Sequence, residues 1–365
     1  MIESPGHILI DGIPASLGYR MPAEFERQHA IWLAWPHNEE TFYGAENVAE
    51  VEQVYVQSIT ALHGSQFVNL LVNDVEMKDR ANDILVAAGV NMKKIIFYEI
   101  PTVDVWFRDY GPTFVVNPAA HQPLAMVKWR FTAWGDKYDD LALDNRIPWD
   151  MQERAIHVPS FDPGIVLEGG SIDVNGQGCV LTTEQCLLNP NRNPALTREE
   201  IEQKLNEYLN VKKVLWLNEG IAGDDTDGHV DDIARFIAPG IIACAYEDDE
   251  TDENHAPLEE NFQRLSRMTD AAGKPFTIIK LPMPGIVEYN GTRVPASYLN
   301  FYIGNDAVVV PIFSHENDEK ALAILRKLFS TRRVVGIECT KLVYGLGTLH
   351  CSSQQQPAIF GTIRK

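Results

Sequence analysis

One order of structural elements recurs along the chain, and it limits the folds open to this sequence more than any other feature. In the segment 168–217, a glycine turn precedes a strand at 171–174, and the hairpin turn Asn175-Gly176 leads to a return strand at 179–183. The capping-box pattern Thr197-Arg-Glu-Glu200 then begins a helix, and a buried strand follows it. The unit is therefore strand, strand, helix, strand.

The same order returns from residues 229 and 297, more loosely from residue 108, and once more from the two ends of the chain combined. In the split copy, the elements are predicted in the order first strand 348–353, second strand 30–34, helix 48–63 and last strand 67–72. Copies begin roughly every 50 to 66 residues, which suits a propeller blade better than a solenoid repeat. We expect an α/β fold, a five-bladed propeller with pseudo-fivefold symmetry, as a single domain over residues 1–365. An open α/β sheet is the alternative.

Charge and composition restrict the partners. The formal net charge of -20 argues against a nucleic-acid partner and would favour the approach of a small cation, although charge alone is better explained by a solubilising surface. The sequence has no apolar run of about 18 residues and no signal-like start, so neither a membrane span nor secretion is expected. The five cysteines are widely spaced without a CxxC, which fits a reduced, cytoplasmic protein rather than a disulfide framework or a zinc site.

The chemically notable residues cluster at the starts of the repeated units, which would converge near the axis of a propeller. They are Trp106, Arg108-Asp109, Glu168-Gly169-Gly170, Gly228-His229-Val230-Asp231 and Gly347-Thr-Leu-His-Cys351.

Cys351 is the candidate nucleophile. It follows a glycine-rich segment in which the backbone can approach a ligand closely, and His229 could serve as its base or stabilise its thiolate. A lone cysteine is often a small buried hydrophobe, a role that suits Cys179 and Cys244 within their apolar strands better than Cys351 beside a polar run.

Three acidic residues could complete such a site. His229 and Asp231 would share one face of a strand, with Asp231 holding a cation. Asp109 could bind a planar guanidinium through two parallel hydrogen bonds under the face of Trp106, or form a surface pair with its neighbour Arg108. Glu168 could orient the histidine or merely cap a turn.

An EF-hand reading of the acidic stretch before His229 is excluded, because Gly223 and Ala234 stand where acids are required.

Motifs along nearly the whole chain resemble the agmatine deiminase family, related to the bacterial type of peptidyl-arginine deiminase, within the guanidine-modifying superfamily of fivefold α/β propellers (penteins). The matching segments include Gly18-Tyr-Arg-Met-Pro-Ala-Glu-Phe25, Trp32-Leu-Ala-Trp-Pro36, Trp106-Phe-Arg-Asp-Tyr-Gly-Pro112, Ala133-Trp-Gly135, Glu168-Gly-Gly-Ser171, Thr182-Thr-Glu-Gln-Cys-Leu-Leu188, Thr226-Asp-Gly-His-Val-Asp-Asp232, Ser297-Tyr-Leu-Asn-Phe301 and His350-Cys351.

The resemblance implies a catalytic assignment. Cys351 would attack the guanidinium carbon while Asp109 and Asp231 hold the guanidinium nitrogens. His229, paired with Glu168, would donate a proton to ammonia and then activate the water that hydrolyses a covalent thiouronium intermediate. Trp106 would line the substrate channel. Agmatine would give N-carbamoylputrescine and ammonia with no metal and no organic cofactor.

Departures from the family pattern bear on the substrate. Many relatives have Gly-Gly-Gly-Asn-Ile-His-Cys where this chain has leucine at 346 and threonine at 348. Arginine or peptidyl-arginine remains an alternative substrate; its carboxylate would need a basic partner, and the sequence does not place Arg146, Arg154 or Arg293. A second alternative is a non-catalytic propeller that acts as a binding module. The formation of a homo-oligomer stays open.

Overall fold

The computed structural model describes residues 7–359, so the first and last six residues of the predicted domain lie outside it. The strands are β1 (Gln28–Ala34), β2 (Phe67–Val72), β3 (Ile95–Glu99), β4 (Thr113–Val116), β5 (Leu124–Val127), β6 (Ser160–Phe161), β7 (Asp173–Val174), β8 (Cys179–Thr183), β9 (Lys213–Leu217), β10 (Ala234–Ala238), β11 (Ile241–Tyr246), β12 (Thr277–Pro282), β13 (Glu288–Tyr289), β14 (Thr292–Arg293), β15 (Tyr302–Ile303), β16 (Ala307–Ile312), β17 (Arg333–Glu338) and β18 (Ser353–Pro357).

The α-helices between and around these strands range from one turn to five. They are α1 (Ala45–Leu62), α2 (Val75–Ala87), α3 (Phe107–Tyr110), α4 (Ala133–Asp136), α5 (Ile147–Met151), α6 (Glu184–Leu187), α7 (Arg198–Leu209), α8 (His255–Arg267), α9 (Asp318–Leu328) and α10 (Thr340–Val343). None of the helices between residues 7 and 359 combines the length and apolar character that a membrane crossing requires.

A mixed α/β architecture results, as predicted, and one pattern of strand pairing recurs in five sheets. In each, the first strand runs antiparallel to the second, and the third strand pairs in parallel with the second. The sheets have the orders β18-β1-β2-β3, β4-β5-β6, β7-β8-β9, β10-β11-β12 and β15-β16-β17. The crossover to the parallel third strand requires an intervening segment, which carries a helix of 11 to 18 residues in four units and only the short α-helices α4 and α5 in the unit β4-β5-β6.

The two ends of the chain share one sheet, as the split repeat predicts. β18 pairs antiparallel with β1, and β1 pairs in parallel with β2. The predicted first strand at 348–353 is wrong, because residues 348–352 form a turn closed by the bonds Ser352 N to Thr348 O and Ser353 N to His350 O. The sheet also gains a fourth strand, β3, which the repeat did not predict.

Short 3₁₀ turns replace the beginnings of two predicted strands. Gly169–Ser171 and Val230–Asp232 are 3₁₀ turns, so the strands there start only at β7 and β10. His229 and Asp231 therefore do not lie on one face of a strand, as we expected from the sequence. The backbone groups of a turn are not committed to the hydrogen bonds of a sheet. Both turns carry residues that the sequence singled out, Gly170 and Asp231.

Local sequence signals explain the helices. Thr197 and Glu200 form the predicted capping box at the start of α7, with each side chain bonded to the backbone of the other residue. The apolar face that follows, with Ile201, Leu205 and Leu209, is buried. Such burial of one face supplies most of the stability of a helix of this length.

A buried carboxylate, that of Glu24, connects distant parts of the chain. One of its oxygens accepts hydrogen bonds from Arg235 Nη2 (2.9 Å) and from the Ile303 amide (2.7 Å). The other accepts from Arg108 Nη2 (3.1 Å) and His350 Nε2 (2.8 Å). Burial raises the pKa of Glu24, but Arg235 and His350 outweigh that effect and hold the pKa well below its usual value. Glu24 is therefore ionised and fully hydrogen-bonded in the interior.

Loss of this charge should destabilise the protein far more than loss of a neighbouring surface charge. Glu24→Gln leaves two buried guanidinium groups undercompensated and should cost about 3–5 kcal/mol of unfolding free energy. Glu26→Gln is the matched control: its bond to Arg20 is partly solvent-exposed and should contribute at most about 1 kcal/mol. Urea denaturation of both variants measures the difference, and equal losses would contradict a central role for Glu24.

Candidate active site

A cavity of about 260 Å³ ends at Cys351. Its walls are polar and aromatic, with acidic side chains toward several sides. The lining residues are Asn38, Glu40, Thr41, Tyr43, Asp104, Trp106, Asp109, Trp134, Tyr138, Asp140, Leu141, Asp225, Thr226, Tyr344, Gly345, Leu346, Gly347 and Cys351. None of these described lining residues is a lysine or an arginine, so the cavity suits a cation.

The turn at residues 348–352 presents the sulfur of Cys351. The backbone N–H of Cys351 donates to Asn300 Oδ1 at 3.2 Å, and its carbonyl accepts from the Arg108 amide at 3.0 Å. Asn300 Nδ2 lies 3.0 Å from Sγ, and Asp231 Oδ2 lies 3.6 Å from it. Burial raises the pKa of the thiol well above its ordinary value, and the charges of Asp231, Asp232 and Asp109 raise it further. The unliganded protein therefore holds a protonated thiol.

Asp109 lies on α3 and is fixed by two donors. Trp134 Nε1 donates to Oδ2 and the Gly170 amide to Oδ1, both at 3.0 Å. Burial raises the pKa of Asp109 to about 6, against the opposing effect of His229. Each oxygen keeps a free lone pair for a further donor, as a bidentate guanidinium would require.

His229 lies between two carboxylates without a hydrogen bond to either. Its Nδ1 is 3.7 Å from Asp109 and its Nε2 is 3.8 Å from Glu168, and neither ring nitrogen has a hydrogen-bond partner within the described part of the chain. Burial lowers the pKa of His229, but the charge of Asp109, followed by contacts with Cys186 and Glu168, raises it well above its ordinary value. Neither carboxylate is within hydrogen-bond distance of the ring, and its strongly raised pKa makes His229 a candidate functional residue.

Glu168 is held by an arginine that we did not single out from the sequence. Arg192 Nε lies 2.8 and 3.1 Å from the two carboxylate oxygens, and both side chains are fully buried. Burial raises the pKa of Glu168, but His229 and Arg192 together lower it below its usual value. Glu168 is therefore ionised, and Arg192 fixes its position beside His229.

Asp231 is held in the same way by His350. Its Oδ2 is 2.7 Å from His350 Nδ1, while Oδ1 has no hydrogen-bond partner among the described residues. Because the other nitrogen of His350 bonds to Glu24, both nitrogens can donate only as the imidazolium. Burial raises the pKa of Asp231, but His350 lowers it overall. The site therefore offers a second ionised carboxylate with a free oxygen.

Gly170 shows how tightly these groups converge. A Cβ at this position would lie 2.5 Å from His229 Nδ1, 2.9 Å from Asp109 Oδ1 and 3.2 Å from Asp231 Oδ2. Only a glycine leaves room there, so the turn that begins β7 forms part of the site.

The structure thus gathers Cys351, His229, Glu168, Asp109 and Asp231 in one centre, although they lie far apart in the sequence. Trp106, Asp109 and Cys351 line the cavity itself, and Asp231 Oδ2 lies 3.6 Å from the Cys351 sulfur. Arg108 does not pair with Asp109 at the surface; it is buried and bonds to Glu24.

Four supporting residues did not stand out as site residues in the sequence: Asn300, Trp134, Arg192 and His350. Three of them fall within motifs that we quoted for their resemblance, so their signal was present. Arg192 has no such signal, because it reaches Glu168 from the loop that precedes α7.

Within residues 7–359, two groups of side chains have ligand atoms close enough to hold a metal ion: Glu168 with Cys186 and His229, and Asp231 with Asp232 and Cys351. In the first group, Arg192 already places a positive charge on both oxygens of Glu168. In the second, His350 occupies one oxygen of Asp231. These cationic partners make both groups poor metal sites and favour an organic cation that binds the free oxygens.

Comparisons with known proteins agree with this geometry. The profile of the family described as Porphyromonas-type peptidyl-arginine deiminase matches residues 20–357. The structure of an agmatine deiminase of Enterococcus faecalis is 36% identical, with a TM-score of 0.87 over 96% of this chain and 99% of that one. A substrate-bound, cysteine-to-serine variant of agmatine deiminase from C. jejuni is 31% identical, with a TM-score of 0.84 over 93% and 96%. An amidinotransferase from Microseira wollei, 12% identical with a TM-score of 0.53 over 95% and 98%, shares the fold alone.

Proposed function

This chain belongs to the Porphyromonas-type peptidyl-arginine deiminase family, and we propose that it hydrolyses agmatine to N-carbamoylputrescine and ammonia. The observation that carries the proposal is a cavity rich in acidic groups that is lined by both Asp109 and Cys351, with no basic side chain among its described lining residues. Agmatine is cationic at both ends, so it suits this cavity along its whole length.

The guanidinium group would bind between Asp109 and Asp231. The free lone pairs of Asp109 and the unpartnered Oδ1 of Asp231 are acceptors for its N–H groups. The arriving positive charge would offset the carboxylates that raise the pKa of Cys351. The thiol would then ionise and release its proton to solvent through the open cavity.

The first half of the reaction would form a covalent intermediate. The Cys351 thiolate attacks the guanidinium carbon and gives a neutral tetrahedral adduct. As the carbon–nitrogen bond breaks, the His229 imidazolium donates its proton to the leaving nitrogen. Ammonia departs, His229 becomes neutral, and a thiouronium cation remains on the sulfur.

The second half would consume one water. Neutral His229 takes a proton from water, and the hydroxide adds to the thiouronium carbon. The carbon–sulfur bond then breaks, the Cys351 thiolate leaves, and the hydroxyl proton passes to that thiolate, which gives the ureido product and restores the thiol. Glu168, fixed by Arg192, would keep His229 oriented and stabilise its positive charge in both halves.

The surroundings of the cavity favour agmatine over arginine or peptidyl-arginine. A substrate carboxylate would enter among Glu40, Asp140 and Asp225 without a basic partner. The arginines that the sequence left unplaced do not line the cavity; Arg146 pairs with Asp150, for example. A buried or repelled carboxylate would be rejected strongly.

A non-catalytic binding module is disfavoured by the same geometry. Such a module has no need for a buried, unpaired imidazole that raises the cost of folding.

We also propose that the five units close into a ring, a five-bladed α/β propeller that forms one catalytic domain over residues 1–365. Neighbouring units are in contact: β18 lies against β4, β7 against β10, and α1 against β16 and β17. A ring would protect the sheets from unpaired edges.

The conditions of action belong to the same proposal. We propose a cytoplasmic location, because all five cysteines are buried and unpaired, as a reducing compartment allows. The partner is a small cationic guanidine rather than nucleic acid or membrane, and the steps above use side chains alone, without a metal or organic cofactor.

The direct test compares three guanidines. Wild-type protein should release ammonia from agmatine, with a kcat/KM at least about a hundredfold above those for L-arginine and a blocked arginine peptide. Cys351→Ser should abolish release, because a serine hydroxyl in this site lacks the acidity of a thiol. Ammonia and ureido assays measure both. Preferred turnover of arginine would overturn the substrate, and undiminished release by the variant would overturn the mechanism.

The acidic mouth of the cavity should govern substrate binding more than the chemical step. Asp225, which accepts a hydrogen bond from the Tyr138 hydroxyl at 2.6 Å, is placed to hold the distal amine. Asp225→Asn should raise KM for agmatine roughly tenfold, with kcat changed much less.

Asp248→Asn, in an exposed acidic segment away from the cavity, changes net charge equally and should leave both constants unchanged. Steady-state kinetics decide. Equal effects of the two variants would mean that net charge, not a local contact, attracts the substrate.

The acid limb of the pH profile should report Asp109. With a pKa of about 6, its carboxylate is lost below that pH, and kcat/KM should fall there because the guanidinium loses its acceptor. Trp134→Phe removes a donor to the ionised form, so the acid limb should move to higher pH by roughly one unit.

Trp129→Phe is the control, because its indole N–H bonds to Thr113 instead of a site residue. Rate profiles between pH 4 and 8 compare the variants. An unmoved limb in Trp134→Phe would mean that another group controls the acid side.

A further inference from the structure

Asn300 contacts the sulfur of the candidate nucleophile. From its contacts, we infer that Asn300 is a further catalytic residue, which donates a hydrogen bond to the Cys351 thiolate and stabilises it during attack. This inference rests on the proposed function, since it assigns a role in the same reaction.

The orientation of the Asn300 side chain is fixed by its oxygen. Oδ1 accepts from the backbone N–H groups of His350 (3.0 Å) and Cys351 (3.2 Å) and from the Thr348 hydroxyl (2.7 Å). A backbone N–H can only donate, so an amide turned the other way would set donor against donor. The NH₂ group must therefore point away from the backbone of the turn.

Both hydrogens of that NH₂ group have partners. Nδ2 lies 3.0 Å from Cys351 Sγ and 3.0 Å from Asp232 Oδ1. Asp232 accepts a hydrogen bond from one of the two hydrogens, so the other hydrogen points at the sulfur. Asn300 is fully buried, so water does not compete for either bond.

The electrical surroundings give this contact its importance. Three aspartates raise the free energy of a thiolate at Cys351, whereas the amide of Asn300 stabilises the thiolate more than the thiol. The backbone amide of Thr348 acts in the same direction. A neutral donor serves this purpose without repelling a guanidinium, as a lysine or arginine at the same position would do.

The same side chain also holds the turn that carries Cys351, so the test must separate acidity of the thiol from integrity of the fold. The readout is the pH dependence of alkylation of Cys351 by iodoacetamide, followed by mass spectrometry. It requires no turnover and no knowledge of the substrate. The other four cysteines, which do not line the cavity, serve as an internal reference.

Two variants probe the donor. Asn300→Ser removes the contact with the sulfur and should move the inflection of Cys351 alkylation to higher pH by roughly one unit. It should also lower kcat for agmatine by roughly 10²- to 10³-fold with a much smaller change in KM. Asn300→Asp keeps an oxygen that accepts the hydrogen bonds of the turn, but it replaces the NH₂ group at the sulfur with a second oxygen. The inflection of Cys351 alkylation should therefore move to higher pH than in Asn300→Ser.

Asn261→Ser is the matched control. Asn261 is equally buried and bonds to the backbone of residues 218 and 219, far along the chain from Cys351. It should lower the melting temperature without moving the inflection. Asn300→Asp retains the acceptor for the turn and so covers the case in which Asn300→Ser does not fold.

The outcomes are distinct. An inflection that rises in both Asn300 variants and stays fixed in Asn261→Ser supports the inference, even if agmatine proves to be the wrong substrate. An inflection unchanged in Asn300→Asp, or a loss of kcat that only follows the melting temperature, overturns it. Wild-type inactivity on agmatine with a shifted inflection would count against the proposed substrate alone.

Discussion

The ionised carboxylate of Glu24 is the interaction on which the rest of the structure depends. It lies in the interior with two guanidinium groups and one imidazolium, contributed by residues 108, 235 and 350. Any one of these charges alone would be costly to bury, so they are stable only as a set. Because Arg108 lies in α3, Arg235 in β10 and His350 in the turn before β18, the set forms only when these separate parts of the chain are brought together. Formation of this charge set therefore fixes both the fold and the charges of the site.

The network determines the electrostatics of the site. One ring nitrogen of His350 bonds to Glu24, and the other bonds to Asp231. Arg192 bonds to Glu168 in a comparable way. Both supporting cations lie behind the carboxylates instead of in the cavity. The carboxylates of Asp231 and Glu168 stay ionised, and Oδ1 of Asp231 has no hydrogen-bond partner among the described residues. A buried anionic pocket of this kind costs stability, and a cationic ligand removes that cost on binding. The unliganded site keeps its cysteine protonated for the same reason.

The sequence predicted the elements that depend on local patterns. The capping box at Thr197, the hairpin turns and the apolar strands follow from neighbouring residues, and the repeat revealed that the two chain ends share a sheet. It also singled out the five residues that the structure brings together, because they recur at the starts of the units. It did not predict the turn at residues 348–352 or the partners of the site, since Asn300 and Arg192 act through contacts more than 20 residues distant in sequence. No local pattern encodes such a contact.

Leu346 lies between two glycines in the segment that leads to Cys351, and its backbone conformation is one that favours glycine. Its φ of 70° is a left-handed conformation that costs a residue with a Cβ roughly 1–2 kcal/mol. The flanking glycines cannot change, because a Cβ at Gly345 or Gly347 would lie 2.8 or 2.6 Å from the indole of Trp106. Of the three positions 345–347, only 346 has room for a side chain, and that side chain lines the cavity. Since the strain is small against the stability of a domain, the backbone can keep this left-handed conformation with a leucine in place of a glycine.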